Sequence, residues 1–463
     1  MSQQYIADTT ESIIFNGYKQ TEIGIIPIDW NVVNIGSLCS IFGRIGFRGY
    51  TKADIVSEDQ GAVSISPSNI VDGKVSWEKG TYISWRKYHE SPEIKIYEED
   101  ILLVKTGSTY GKVGLVKNLK QEATLNPQVV VLKNRKCPSS LLAYLMQFEL
   151  VQKQIGETIV GGAIPTLSQK EVANYLVPIS PNYQEQTLIA TALSDVDNLI
   201  SELEKLINKK QAIKTATMQQ LLTGKTRLPQ FSLCEDGTKK GFKQSELGEI
   251  PKDWGVKTVY ELAEKQKSQF DDGDWVEAEH ITDRGIRLIQ TGNIGIGQYV
   301  EKDTKKYIYP TSFEKLKCKE LQKGDLLICR LAEPAGRACI FYNIGEQRVI
   351  TSVDVTIFRP SSYLADRKFY VQYFSFDVWF KSVLEQVGGT THKRISRGAL
   401  GRISVPYPSI QEQTAIATIL SDMDSEIQAL EKRLNKTRQI KQGMMQELLT
   451  GKTRLVQPEA RGV

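Results

Sequence analysis

The chain has 463 residues, 40% hydrophobic and 24% charged, with a formal net charge of +5. That composition excludes a disordered chain and leaves room for roughly two to four domains with real cores, while the weak positive charge permits a polyanionic partner without demanding one. Six cysteines with no C-x-x-C and only three histidines argue for reduced structural thiols over a disulfide framework or a zinc site.

Residues 1–17 form an N-terminal extension without the basic-then-apolar order of a signal peptide, and no apolar run approaches the ~18–20 residues of a membrane span. The cytoplasm is the expected compartment. Residues 18–30 (YKQTEIGIIPIDW) then open a first domain, 18–183. Its short apolar segments at 62–65, 101–104, 113–116 and 129–132 are broken by glycine and polar clusters, which suits buried strands, and the apolar spacing over 139–156 shifts toward that of a helix.

Polar and basic residues gather where those strands give way to loops. They are Arg44, Arg48, Tyr50 and Lys52, then Lys105, Thr106, Ser108, Tyr110 and Lys112, then Thr166, Ser168 and Lys170 after Gly161-Gly162. Such side chains hold phosphates and read base edges, although polar loops occur in any domain.

Residues 184–228 change character. Ile189, Leu193, Val196, Ile200 and Leu203 fall at alternating steps of four and three, a coiled-coil seam with Glu and Lys on its flanks. A helix over 184–222 would run about 60 Å at ~1.5 Å per residue, too long for one small domain to bury. It ends in Leu-Leu-Thr-Gly-Lys-Thr-Arg-Leu. Gly-Lys-Thr is the tail of a phosphate-binding loop, but that motif needs glycine at position 219, which is Gln219. A helix stop at Gly224 requires only the residues present.

Residues 229–241 carry turn residues and no apolar period, so they are expected to be a linker. After them the chain repeats itself. Residues 242–254 (FKQSELGEIPKDW) match the first opening, and 411–455 match 184–228 without a gap, identical at roughly two-thirds of positions, which fixes a duplicated architecture. The second seam is Ile416, Leu420, Met423, Ile427 and Leu430; Gln446 rules out the phosphate loop here too, and Gly443 is expected to weaken this helix locally. A tail, 456–463, follows.

The second domain, 242–410, shares only anchor points with the first: Asp325 with Asp100, Gly336-Arg337 with Gly111-Lys112, Gly292-Asn293-Ile294 with Ser68-Asn69-Ile70, and Gly388-Gly389 with Gly161-Gly162. Strands are predicted at 287–290, 326–329, 338–341 and 353–358, and a helical stretch at 365–387. Its candidate contact residues are Arg330 and Arg337, then His392, Lys393, Arg394, Ser396 and Arg397 beyond the Gly-Gly pair. The expected fold is α+β: two α/β recognition domains separated by two long antiparallel coiled-coil helices, with a pseudo-twofold internal repeat.

Reactive motifs are missing from the sequence. Asn126-Pro127-Gln128-Val129 lacks the second proline and the aromatic ring of an amino-methyltransferase motif, and the glycines of 43–49 have the wrong spacing for a dinucleotide site. No catalytic residue and no metal site is assigned, so the chain is expected to recognise and not to react.

The order of these parts resembles the specificity subunit of type I restriction-modification systems. The resemblance rests on Gly24-Ile25-Ile26-Pro27-Ile28-Asp29-Trp30 and its return at 248–254, on the two helices that begin Gln-Glu-Gln, and on their Leu-Leu-Thr-Gly-Lys endings. It implies that each variable domain is a target recognition domain reading one half of a split double-stranded DNA sequence. It implies further that the helices set the spacer and dock two methyltransferase subunits, that those subunits and not this chain carry S-adenosylmethionine, and that two motor-nuclease subunits can join. The other reading is a coiled-coil scaffold with two protein-binding adaptor domains, which predicts no dependence on nucleic acid.

Overall fold

A computed structural model describes residues 17–44, 46–78, 80–158, 166–331, 333–388 and 393–456. The protein is a mixture of helix and sheet that divides into two compact units, one of Met1–Glu204 with Arg433–Val463 and the other of Lys205–Lys432. Two long helices, α1 (Tyr183–Leu221) and α2 (Ile410–Leu449), contribute residues to both units. α2 runs unbroken through Gly443, the residue expected to weaken it locally through its low helix propensity. The flanking Met444, Met445, Leu448 and Leu449 supply apolar contacts that hold the last turns in place.

In the first unit, Ile101–Val104 lies at the centre of a six-stranded sheet, antiparallel to Val129–Lys133 on one side and Val113–Leu115 on the other. Every residue of Ile101–Val104 is buried because the sheet is covered on both faces. One face packs on Ser139–Gln147 and on the start of α1, the other on a four-stranded sheet containing Gly61–Ile65. The helical stretch expected over 139–156 is two helices, Ser139–Gln147 and Glu149–Thr158, because Phe148 adopts an extended conformation between them.

The second unit rebuilds this plan with other side chains. Leu326–Cys329 pairs antiparallel with Val355–Phe358 and Ala338–Ile340, and a second four-stranded sheet contains Ile286–Ile289. Aromatic rings fill its core, with Phe374 and Trp379 at 4.2 Å between centroids. Two of the anchors shared by the domains prove to be backbone braces; Gly161, Gly162 and Gly389 lie outside the described residues. Asp100 and Asp325 are buried; each accepts a hydrogen bond from the main chain three residues earlier (Tyr97 and Gln322) and pairs with arginine, Arg135 or Arg359. Asn69 and Asn293 each accept from the nitrogen three residues before them and donate to the carbonyl seven residues on.

Residues 229–241 contain more order than a bare linker, namely the short helix Pro229–Ser232 and a bridge between Leu233 and Lys239. Asp236 supports the intervening turn by accepting from the backbone and hydroxyl of Thr238. Among the described residues no helix is long and apolar enough to cross a membrane.

Candidate nucleic-acid interface and the repeated motif cluster

The three motifs that open and close each repeat converge on one cluster, built twice. In the first unit the guanidinium of Arg454 donates to Glu185 at 2.6 and 2.9 Å and to Asp29 at 2.9 and 2.9 Å. Glu185 also accepts from the Trp30 indole at 3.2 Å and the Ser180 hydroxyl at 2.6 Å. In the second unit Arg227 donates to Glu412 at 2.6 and 2.7 Å and to Asp253 at 2.8 and 3.1 Å, and the Trp254 indole donates to Glu412 at 3.0 Å. Both arginines are forked across two carboxylates, the geometry in which a guanidinium binds most strongly.

The glycine of each Leu-Leu-Thr-Gly-Lys ending makes this approach possible. Gly224 and Gly451 both have φ +70°, and a Cβ on either would lie 2.5 Å from the ring of Pro251 or Pro27. The following threonines, Thr226 and Thr453, bond back to residue 220 or 447 of their own helix. Gly-Lys-Thr is thus a helix terminus tied to the IPxDW opening. Burial tends to raise the carboxyl of Asp253, but hydrogen bonds from Arg227 and Lys240 overcome it and hold the group at about 2. The hydrogen bonds that it donates to Glu185 push the Arg454 guanidinium above its ordinary value.

The seam residues are all withdrawn from solvent. Ile189, Leu193 and Leu203 are buried and Val196 and Ile200 half-buried in α1; Ile416, Leu420 and Ile427 are buried and Met423 and Leu430 half-buried in α2. Within the first unit Ile189 and Leu193 share a core with Leu448 and Leu449, and within the second Ile416 and Leu420 share one with Met218, Leu221 and Leu222. Ion pairs flank these contacts: Lys441 with Asp197 at 2.7 Å and Arg438 with Glu204 at 2.6 Å in the first unit, Lys210 with Glu426 at 2.7 Å and Lys214 with Asp424 at 2.5 Å in the second.

The candidate contact residues separate into braces and surface groups. Arg44 and Arg330, expected on loops, are instead buried at 5% and 2% exposure. Arg44 donates to the Leu125 carbonyl and the Thr124 hydroxyl, and Arg330 to the Ile395 and Val353 carbonyls. An arginine of five donors at a strand end satisfies neighbouring carbonyls, a role that sequence cannot separate from phosphate binding. Tyr50 is half-buried, accepting at its hydroxyl from Ser64 and Asn126, and Arg48 lies 3.6 Å from Glu93. Ser168 and Ser396 cap the helices Gln169–Asn174 and Arg397–Arg402.

What remains at the surface forms two groups. In the first domain, Ser108, Lys112, Thr166 and Lys170 are exposed, Lys105 and Tyr110 half-exposed, and a bridge joins Thr106 to Thr166. Beside them lies an open hollow of about 280 Å³ lined by Ser66, Ser68, Thr106, Ser108, Thr109 and Gln128 with Pro67 and Gly107. In the second domain Lys393 and Arg394 are exposed and Arg397 half-exposed; Arg394 pairs with Asp354 at 2.8 Å, and Arg397 with Asp271. Arg337 donates to the carbonyls of Thr291, Ile294, Leu331 and Pro334. His392 lies outside the described residues. Sequence reasoning passed over Ser66, Thr109 and Gln128, because only the fold brings the 66–69 turn beside the 105–112 loop. Among the described residues no group of three or more His, Cys, Asp or Glu is arranged to hold a metal ion.

The family model described as type I restriction modification DNA specificity domain matches this chain twice, over residues 27–215 and 251–441. The chain belongs to that family. It is 27% identical over 436 residues to the type I restriction enzyme MjaVIII specificity subunit of Methanocaldococcus jannaschii, covering 93% of this chain and 94% of that relative. The fold is shared with the S subunit of a type I restriction-modification system from M. genitalium, with a TM-score of 0.55, 16% identity, and coverage of 91% of this chain and 96% of that one. It is shared also with a chain from a structural study of complex assembly and conformational transition of the type I R-M system, with a TM-score of 0.52, 16% identity, and coverage of 92% and 99%. The resemblance seen in the repeated motifs is therefore a family relationship, and relatives of this kind are specificity subunits and not the catalytic ones.

Proposed function

We propose that this chain gives a type I restriction-modification complex its DNA sequence specificity, each recognition domain reading one half of a bipartite double-stranded site. The observation that carries this reading is the specificity domain matched twice in one chain. The two domains keep the same braces at Asp100 and Asp325 and at Asn69 and Asn293 but present different loops, as two readers of different short sequences would. The domains are 18–183 and 242–410.

The helices 184–228 and 411–455 act in this reading as an antiparallel coiled coil related by a pseudo-twofold axis, which fixes the unread spacer and docks two methyltransferase subunits. The alternating spacing of the seam and the flanking ion pairs support it. S-adenosylmethionine and the base flipping needed for methylation belong to those partner subunits; motor-nuclease subunits join the same assembly, in the cytoplasm.

The test is to map methylated adenine across the genome of cells expressing the chain with its methyltransferase partner, against cells lacking only this chain. The expected result is a two-part motif with a fixed gap that disappears on deletion. Unchanged methylation would overturn the proposal and favour the scaffold reading.

A further inference from the structure

Main-chain bonds set the two recognition domains in register position by position. The nitrogen of Lys105 donates to the Gln128 carbonyl at 2.8 Å, and that of Arg330 to the Asp354 carbonyl at 2.8 Å. Gly111 donates to Val104 and Gly336 to Cys329 in the same way. Gln128 therefore corresponds to Asp354, Lys112 to Arg337, and the loop 105–112 to 330–337 without a gap.

At these matched positions the second domain is closed on itself. Arg337 spends four of the five N–H groups of its guanidinium on backbone carbonyls, tying Thr291 and Ile294 to Leu331 and Pro334. Asp354 is neutralised by Arg394. The hydroxyls of Thr106, Ser108 and Thr109 correspond to Leu331, Glu333 and Pro334.

The first domain leaves the same place open. Ser66 is engaged with Ser68 and Asn69, but the side chains of Thr106, Ser108, Thr109 and Gln128 make no hydrogen bond among the described residues. They face a hollow of about 280 Å³ that, among the described residues, no carboxylate lines. A carboxamide presents one donor and one acceptor side by side, the pattern that pairs with N6 and N7 of adenine in the major groove, and hydroxyls bond to either kind of edge.

We propose that Gln128, with Thr106 and Ser108 beside it, reads an adenine-containing step of one half-site, whereas the matching place in the second domain, where Asp354 is paired with Arg394 and Arg337 ties the loop down, takes no base. This rests on the DNA-reading role above. The two domains then read DNA through non-equivalent surfaces, and Arg337 is a brace of its loop that plays no part in base choice.

The experiment is selection of randomised DNA duplexes by the full chain, comparing wild type with Gln128→Leu, Gln128→Glu and Arg337→Gln. Wild type is expected to enrich a two-part motif. Gln128→Leu should lower the preference at one adenine of one half by roughly 5- to 150-fold, the worth of one bidentate pair, and leave the other half intact. Gln128→Glu should move that preference toward cytosine, whose N4 donates to a carboxylate; this change of base cannot come from misfolding. A motif unaltered by both Gln128 variants would overturn the proposal, as would loss of a base preference in Arg337→Gln at unchanged melting temperature. No enrichment by wild type would instead overturn the DNA-reading role itself.

Discussion

Arg454 holds Glu185 through two hydrogen bonds across 269 residues of sequence, tying the end of the last repeat motif to the start of α1. Glu185 is fully buried, and Arg454 is the cation set against it. Arg454→Ala would leave that carboxylate unpaired, at a cost of about 3–5 kcal/mol. Hydrogen exchange should show faster opening in Met1–Glu204 and Arg433–Val463, with Lys205–Lys432 unchanged. Arg227→Ala should do the reverse. Equal protection in wild type and both variants would show that the clusters do not hold their units together.

The motif glycines and the helical Gly443 should respond to alanine with opposite signs. Gly224→Ala and Gly451→Ala force a side chain into φ +70° and against a proline ring at 2.5 Å, so each should lose on the order of 1–3 kcal/mol. Gly443 lies within α2 and a Cβ there meets nothing within 4 Å, so Gly443→Ala should gain roughly 0.5–1 kcal/mol. Urea unfolding of the three variants checks both signs.

Periodicity made much of this fold legible. The helices over 184–222 and 411–449 needed only apolar spacing, since burial on one face leaves a period in the sequence, whereas the strands at 101–104 and 326–329 were legible as short unbroken apolar runs, because both of their faces are buried. Loop side chains carry no such record. Arg44 and Lys112 look alike in sequence, yet one is consumed by the Leu125 carbonyl and the other is exposed. Arg394 and Arg397 were legible as cations, but their partners Asp354 and Asp271 lie 40 and 126 residues away, and only the folded sheet brings them together.

The pH response of the second cluster follows from Asp253. Its folded carboxyl sits at about 2, below the ordinary 3.8, so its contribution is fully present above about pH 4 and is lost as pH falls through 2. The group is partly exposed, and screening keeps the effect within about 1 kcal/mol. Wild type should melt above Asp253→Asn at neutral pH, and the gap should close on acidification between pH 4 and 2. A gap that stayed constant would mean the ion pair with Arg227 and Lys240 is not its source.

Thiol chemistry should single out one cysteine. Burial pushes Cys39 and Cys339 up to about 12 and Cys137 and Cys318 up to about 11, Cys329 is buried and raised, and Cys234 is exposed. Only a thiolate alkylates readily. Mass spectrometry after brief iodoacetamide treatment of the native chain should find Cys234 modified and the other five intact, and rapid labelling of Cys39 or Cys339 would contradict their place in the core.

Arg394 gives the sharpest test of the second recognition surface, because it has two ways of favouring DNA. Exposed at the surface, its guanidinium can reach a phosphate, and it masks the carboxylate of Asp354, which would otherwise repel the DNA backbone. Arg394→Ala should weaken duplex binding by about tenfold and reduce the slope of affinity against salt by about one. Adding Asp354→Asn to that variant removes the exposed charge and should restore part of the affinity without restoring the slope. Fluorescence anisotropy across a salt series separates the two effects. Full restoration by Asp354→Asn would make Arg394 a mask alone, and no restoration would make it a phosphate contact alone.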